Sequence, residues 1–173
     1  MQFAEGQTVV HPHHGPATVT EISDRTFGKV TRRYLRLQVE GSDLDLAIPL
    51  DAAKDLGIRA MIGNAELQEL FDTLHAPSGP QETAWSRRFK ENRELLRVGD
   101  LLMTARVARD LGRRQQEQGV SMGERDMLRE ARKPLATEIA LVMAVDEDRT
   151  EELIDEAVLG DGVDVAAAMK VAS

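Results

Sequence analysis

Apolar and polar residues alternate along the chain as far as Pro49, and after it apolar residues recur at helical spacing. Alternation is typical of strands with one buried face, whereas apolar residues three and four positions apart are typical of amphipathic helices. The alternating runs are separated by glycine-containing turns at 27–29 and 41–43. Predicted strands cover residues 7–10, 17–22, 34–40 and 44–48. We expect a small, strongly bent SH3-like sheet whose open edges can accept a strand from a partner.

Glycine and proline divide the remaining chain into helical segments. A short helix is expected at 51–56, with Gly57 as its end, and five longer helices follow. The longer helices are predicted at 65–74, 82–97, 101–118, 122–145 and 149–159. Short loops between them indicate a helical bundle.

Local capping signals support these helix boundaries. Asn64 and Asp100 are predicted N-caps, and Gly99 has the residue type that adopts the left-handed conformation after a helix. The segment 121–124, Ser-Met-Gly-Glu, has the spacing of a capping box, and 148–151 resembles a second cap.

The change of period predicts an α+β multidomain protein, with a small N-terminal SH3-like β module and a C-terminal all-α bundle of about five helices. We expect the β module at 1–52, a linker at 53–63, the helical domain at 64–160 and a flexible tail at 161–173.

Composition removes several classes of protein. The chain of 173 residues has no cysteine, which excludes disulfides and thiolate metal sites and fits a reducing cytoplasm. We see no secretory leader, and no apolar run approaches the roughly 18 residues that a membrane span requires. Motifs for a P-loop, a dinucleotide site or a serine nucleophile are absent from the sequence, so we expect no enzyme activity and no cofactor.

Charge is distributed unevenly along the chain. The formal net charge is −8, which argues against general affinity for nucleic acids. Residues 85–114, however, contain nine basic and four acidic residues, a local net charge of +5, whereas 146–164 has a local net charge of −8. Such asymmetry indicates one surface for an anionic partner.

The basic segment begins with Trp85, the only tryptophan. At helical spacing Trp85 shares a face with Phe89 and Leu96, and this arrangement usually marks a buried core. A tryptophan beside a basic row also suits a nucleic-acid surface, where cations contact phosphates and an apolar ring contacts bases. The spacing favours the core interpretation and leaves the nucleic-acid interpretation open.

Two further sets of side chains leave alternatives open. His11, His13 and His14 are possible metal ligands, but neighbouring residues of a strand point in opposite directions and no carboxylate lies close in sequence, so we favour a packing role and expect no metal. Four arginines of the following helix could extend the basic surface or pair with acidic residues. They are Arg106, Arg109, Arg113 and Arg114.

Four segments resemble the CarD/CdnL family of bacterial RNA polymerase-binding transcription regulators. They are Gly-Gln-Thr-Val-Val-His-Pro-His-His-Gly at 6–15, Ile-Pro at 48–49, Trp-Ser-Arg-Arg-Phe-Lys-Glu-Asn at 85–92 and Gly-Val-Ser-Met-Gly-Glu at 119–124. The resemblance extends from residue 1 to about residue 159. The first segment alone would also resemble transcription-repair coupling factors.

This resemblance implies a Tudor-like module that binds the β subunit of RNA polymerase through an edge strand. Arg25, Thr26 and Phe27 would lie in the polymerase-contacting hairpin. Ala47 would also be a polymerase contact, at a position where some members of the family carry a basic residue.

The resemblance also implies that the helical domain contacts promoter DNA at the upstream fork of the transcription bubble. Trp85 would be the wedge that holds the junction open, with Arg87, Arg88 and Lys90 as DNA-binding residues. The implied protein is a cytoplasmic monomer that stabilises open promoter complexes without reading sequence. The alternative is an adaptor that binds polymerase and makes no direct contact with DNA.

Overall fold

The computed structural model describes residues 3–12, 14–80 and 82–171. The chain forms two compact units, Met1–Met61 and Ile62–Ser173. The first unit is a sheet and the second is helical, which confirms the predicted α+β fold class.

The sheet of the first unit is antiparallel and has the strand order β4-β3-β2-β1-β5. Its strands are β1 (Thr8–His11), β2 (Gly15–Phe27), β3 (Val30–Val39), β4 (Asp45–Pro49) and β5 (Arg59–Ala60). The four predicted strands are confirmed, and β2 and β3 are longer than predicted. They form a hairpin through the turn at Gly28, whose φ of 63° is a conformation that glycine adopts without strain.

The segment that follows β4 belongs to the sheet unit. Ala53 and Ile58 are buried in the same apolar cluster as Leu35 and Leu37. Most of the predicted linker at 53–63 is therefore part of the first unit. The predicted short helix at 51–56 forms turns, and the strand β5 was not predicted because its two residues are too few to show a period.

Within the described residues the second unit has six helices. They are α1 (Asn64–His75), α2 (Trp85–Val98), α3 (Leu101–Glu117), α4 (Met122–Met143), α5 (Glu147–Leu159) and α6 (Val165–Val171). The helix α6 lies in the predicted flexible tail, and its Val165 is buried in the core of the bundle.

Several helix ends are as predicted. Gly99 ends α2 with a φ of 73°, and the Asp100 carboxylate accepts a hydrogen bond of 2.8 Å from the Met103 amide. The capping box of Ser121 and Glu124 begins α4.

Three helix starts differ from the prediction. The N-cap of α5 is Asp146 rather than Asp148, and the N-cap of α1 is Gly63 rather than Asn64. Helix α2 begins at Trp85 rather than at Glu82. The Glu82 carboxylate accepts a 2.9 Å hydrogen bond from the Ala84 amide, and this bond stabilises a local non-helical turn before the helix.

None of the helices among the described residues is both long enough and apolar enough to cross a membrane. Their buried residues form one aliphatic cluster around Phe71. Helix α2 contributes little to it, since Arg88 is the one buried residue of that helix.

Candidate functional site

Trp85 is the first residue of α2 and lies at the surface of the helical unit. The residue is 51% exposed, which overturns the core interpretation of this tryptophan. Its ring centroid is 5.4 Å from that of Phe89, with the two planes inclined at 30°. Its indole Nε1 donates a hydrogen bond of 3.0 Å to the hydroxyl of Ser121. The indole is therefore hydrogen-bonded at one edge and in contact with the Phe89 ring, while the residue as a whole is about half exposed.

The start of α4 provides the support for this aromatic pair. A Cβ atom added to Gly123 would lie 3.1 Å from Cε2 of Phe89, so the ring lies closely against a residue without a side chain. Because Trp85 is one turn before Phe89, it extends beyond the helix end while Phe89 and Leu96 pack against the bundle.

Arg88 is buried, although it was predicted to bind DNA. It is 6% exposed, and its Nε and Nη2 lie 2.8 Å and 2.7 Å from Oε1 of Glu124. Its Nη1 donates to the carbonyl oxygens of Glu82 and Thr83 at 3.0 Å and 3.3 Å. All three guanidinium nitrogens are thus engaged inside the protein, so Arg88 is removed from the set of candidate DNA contacts.

Glu124 is the centre of this buried network and is 1% exposed. Burial by itself would raise the pKa of the carboxyl group. The hydrogen bonds from the Ser121 amide, from Arg88 and from the Ser121 hydroxyl outweigh burial, and the pKa of Glu124 is lowered below its usual value. The carboxylate is therefore ionised at neutral pH.

The exposed cations of α2 lie in one band that begins beside the aromatic pair. At about 100° per residue, Arg93, Arg97 and Lys90 form a row beside the aromatic pair. The Arg93 guanidinium lies 5.3 Å from the centre of the Phe89 ring. Arg87 follows Lys90 around the helix by about 60°, and its side chain is 75% exposed with a long ion pair to Glu82, at 3.4 Å. These four side chains form one basic surface that adjoins the aromatic pair.

The arginines of α3 contribute less to this surface. Arg109 is buried and pairs with Asp110 at 2.7 Å. Arg113 donates to carbonyl oxygens of the last residues of α1 and α5, among them Ala76 at 2.7 Å and Val158 at 2.9 Å. Both arginines bind within the helical unit and do not extend the basic row.

In the sheet unit, the last three residues of β2 lie at the tip of the β2–β3 hairpin. They are Arg25, Thr26 and Phe27. Phe27 pairs with Val30, and these side chains are 66% and 56% exposed. The tip projects beyond the neighbouring strands, since β4 pairs with β3 at 34–38 and β1 pairs with β2 at 15–18. It presents an apolar pair at the surface of the unit.

The pairing register assigns these side chains to faces of the sheet. Leu35 and Leu37 point to the core, so Tyr34 and Arg36 point to the opposite face. Ala47 is paired with Arg36 on edge strand β4 and is exposed on this outer face.

Arg25 and Phe27 lie on the same outer face, because the Arg25 guanidinium is 5.7 Å from the Tyr34 ring and the Phe27 ring is 6.3 Å from it. Thr26 points to the opposite face, because successive side chains of a strand alternate, and its hydroxyl is 2.9 Å from that of Thr31. The outer face therefore carries three of the four predicted polymerase-binding residues, Arg25, Phe27 and Ala47.

His11 is buried and its ring centroid is 4.7 Å from that of His14, while His13 lies outside the described residues. Sequence reasoning did not anticipate that Ser121 and Glu124 contact Trp85 and Arg88. The capping-box pattern identified both residues as the start of a helix but carried no signal for their partners 36 positions away.

Comparison with known proteins agrees with the division of the chain. Residues 3–62 match the CarD-like/TRCF RID domain, and residues 69–155 match the family described as CarD, C-terminal domain. The chain is also 23% identical over 145 residues to a Bacillus subtilis (strain 168) protein named "Putative transcription factor YdeB", with 84% of this chain and 95% of that protein covered. The chain belongs to the CarD-like family of transcription regulators.

Proposed function

We propose that the protein stabilises the open promoter complex of RNA polymerase by placing Trp85 at the upstream fork of the melted DNA. The CarD-like/TRCF RID family implies an interaction with RNA polymerase in general. The observation that carries the proposal is the half-exposed indole at the end of a helix that also carries exposed cations. The proposed activity is regulatory and requires no catalytic group.

In this proposal the helical unit contacts DNA without reading its sequence. The apolar ring of Trp85 enters the minor groove and holds unstacked bases apart, as apolar wedges of architectural proteins do. Arg87 and Lys90 contact phosphates beside the groove, and Arg93 joins this set because of its position beside Phe89. With a net charge of −8, the free protein should bind DNA weakly and with a steep dependence on salt.

The sheet unit supplies the attachment to the β subunit of polymerase. The hairpin tip offers the exposed Phe27 with Arg25 and Thr26, and Ala47 lies on edge strand β4 of the same sheet. An edge strand can pair with a strand of a partner. Binding through this unit presents the DNA at high effective concentration, so that a weak DNA contact is sufficient.

The effect of the wedge is the difference between its affinities for open and closed DNA. Stacking of a base on an aromatic side chain contributes about 1–3 kcal/mol. Since about 1.4 kcal/mol changes an equilibrium tenfold, the lifetime of the open complex should rise roughly 5- to 150-fold.

The test is the half-life of open complexes on one promoter, measured with wild type and with Trp85→Ala. The variant should lose the increase in half-life and should still co-purify with polymerase. Leu159→Ala is a matched control, because Leu159 is 50% exposed in the same unit but lies on α5.

A Trp85→Ala variant with the wild-type half-life would refute the wedge and favour an adaptor that binds polymerase without touching DNA. Arg25→Glu tests the other unit and should abolish co-purification with the β subunit. Unchanged co-purification would refute the assignment of the hairpin.

A further inference from the structure

We infer that Ser121 is a positioning residue that orients the Trp85 indole for its partner, and that the buried pair of Arg88 and Glu124 directs the Ser121 hydroxyl proton away from the indole so that a lone pair faces it. The inference deepens the proposed function and rests on it for the role of the indole. Its physical basis is the hydrogen-bond network that joins the first residues of α2 to the first residues of α4.

The network determines where the hydroxyl proton of Ser121 points and which groups its two lone pairs accept from. The Ser121 hydroxyl has one proton and two acceptor sites. It donates that proton to Oε2 of Glu124 at 3.0 Å and accepts from the Glu124 amide at 3.2 Å. The remaining acceptor site receives the Nε1–H group of Trp85 at 3.0 Å. Every hydrogen-bonding site of the hydroxyl is therefore used.

The charge of Glu124 enforces this polarity. An ionised carboxylate can only accept hydrogen bonds, so the Ser121 hydroxyl must donate to it and must present a lone pair to the indole. Arg88 holds the carboxylate in place through two contacts to Oε1, at 2.8 Å and 2.7 Å. The lowered pKa of Glu124 agrees with a carboxylate that keeps its charge at neutral pH.

Orientation has a consequence for binding. An exposed side chain that is mobile in the free protein must be ordered when it binds, and a side chain that is already ordered avoids this cost. The Ser121 bond holds one edge of the indole and Phe89 contacts the ring, while the residue is half exposed. One net hydrogen bond corresponds to a change of about 2- to 10-fold in an equilibrium.

The first experiment measures the indole in the free, full-length protein. Trp85 is the only tryptophan, so its fluorescence reports this site alone. Ser121→Ala should increase quenching by acrylamide and increase the fast component of the time-resolved anisotropy. Ser121→Thr, which keeps the hydroxyl and the N-cap, should behave as wild type.

A matched control separates the indole contact from the loss of a helix cap. Asp146 caps α5 through a 2.8 Å bond from the Arg149 amide, and Asp146→Ala removes a cap of the same kind in the same unit. This variant should leave the quenching and anisotropy of Trp85 unchanged. If Ser121→Ala also leaves them unchanged, or if Asp146→Ala changes them equally, the inference is wrong.

The second experiment is a double-mutant cycle on the half-life of open complexes. Ser121→Ala should reduce the increase in half-life by about 2- to 10-fold in the wild-type background. In the Trp85→Phe background, which has a ring but no Nε1–H group, Ser121→Ala should have no further effect. An equal loss in both backgrounds would assign Ser121 a purely structural role and overturn the inference.

The two experiments also separate this inference from the proposed function. If Trp85→Ala has the wild-type half-life while Ser121→Ala loosens the indole in the free protein, the wedge function fails and the orientation of Trp85 by Ser121 stands. If Trp85→Ala shortens the half-life and the indole is insensitive to Ser121, the wedge stands and the positioning role fails.

Discussion

Replacement of Arg88 by methionine tests whether this cation serves the fold or the DNA. The side chain is 6% exposed, and its partner Glu124 is 1% exposed. Methionine keeps the apolar stem and removes the charge, so the Glu124 carboxylate would stay buried without its cation. Arg87→Met is the matched control, since it removes the neighbouring cation from a side chain that is 75% exposed.

The expected cost follows from the burial of both partners. Removal of one member of a buried ion pair destabilises a protein by about 3–5 kcal/mol, because an uncompensated charge remains inside. Substitutions of exposed residues usually change stability by no more than about 0.5 kcal/mol. We therefore expect a loss of about 3–5 kcal/mol for Arg88→Met and almost none for Arg87→Met.

Unfolding in urea, followed by the fluorescence of Trp85, measures this difference in the helical unit because the only tryptophan lies there. In a measurement of DNA affinity the order of the two variants should be reversed. Arg87→Met should weaken binding more than Arg88→Met, because it removes a contact to phosphates. Equal unfolding midpoints for wild type and Arg88→Met would refute the buried-pair assignment and return Arg88 to the candidate DNA contacts.

Two further predictions concern the charge of the site. The lowered pKa of Glu124 means that its ionised form stabilises the fold above its ordinary pKa of about 4.3 and that this stabilisation is lost as the pH falls through the folded-state value. Wild type should therefore lose more of its free energy of unfolding than Glu124→Gln as the pH falls from 7, so that the difference between them becomes smaller. A difference that does not change with pH would contradict this role of the Glu124 charge. Lys90→Ala should reduce the slope of log affinity for DNA against log salt by about 1, whereas an unchanged slope would exclude Lys90 as a phosphate contact.

Elements whose signals are local could be predicted from the order of residues alone. Alternating residues predicted four strands, and helical spacing with capping residues predicted five of the helices. Gly99, Asp100 and Ser121 marked helix ends because a cap is made by a side chain and the backbone within a few residues of it. The short elements β5 and α6 were missed, since their contacts are with distant parts of their units.

Which basic residues are accessible depends on contacts between helices and could not be predicted from the sequence. Arg87, Arg88 and Lys90 lie within one turn of α2 and have similar local preferences, yet Arg88 alone is buried because Glu124 meets it from the start of α4. Trp85 likewise shared a helical face with Phe89 and looked like core. It is half-exposed, and its indole is hydrogen-bonded to the Ser121 hydroxyl at the start of α4. Spacing along one helix carries no information about the end of another.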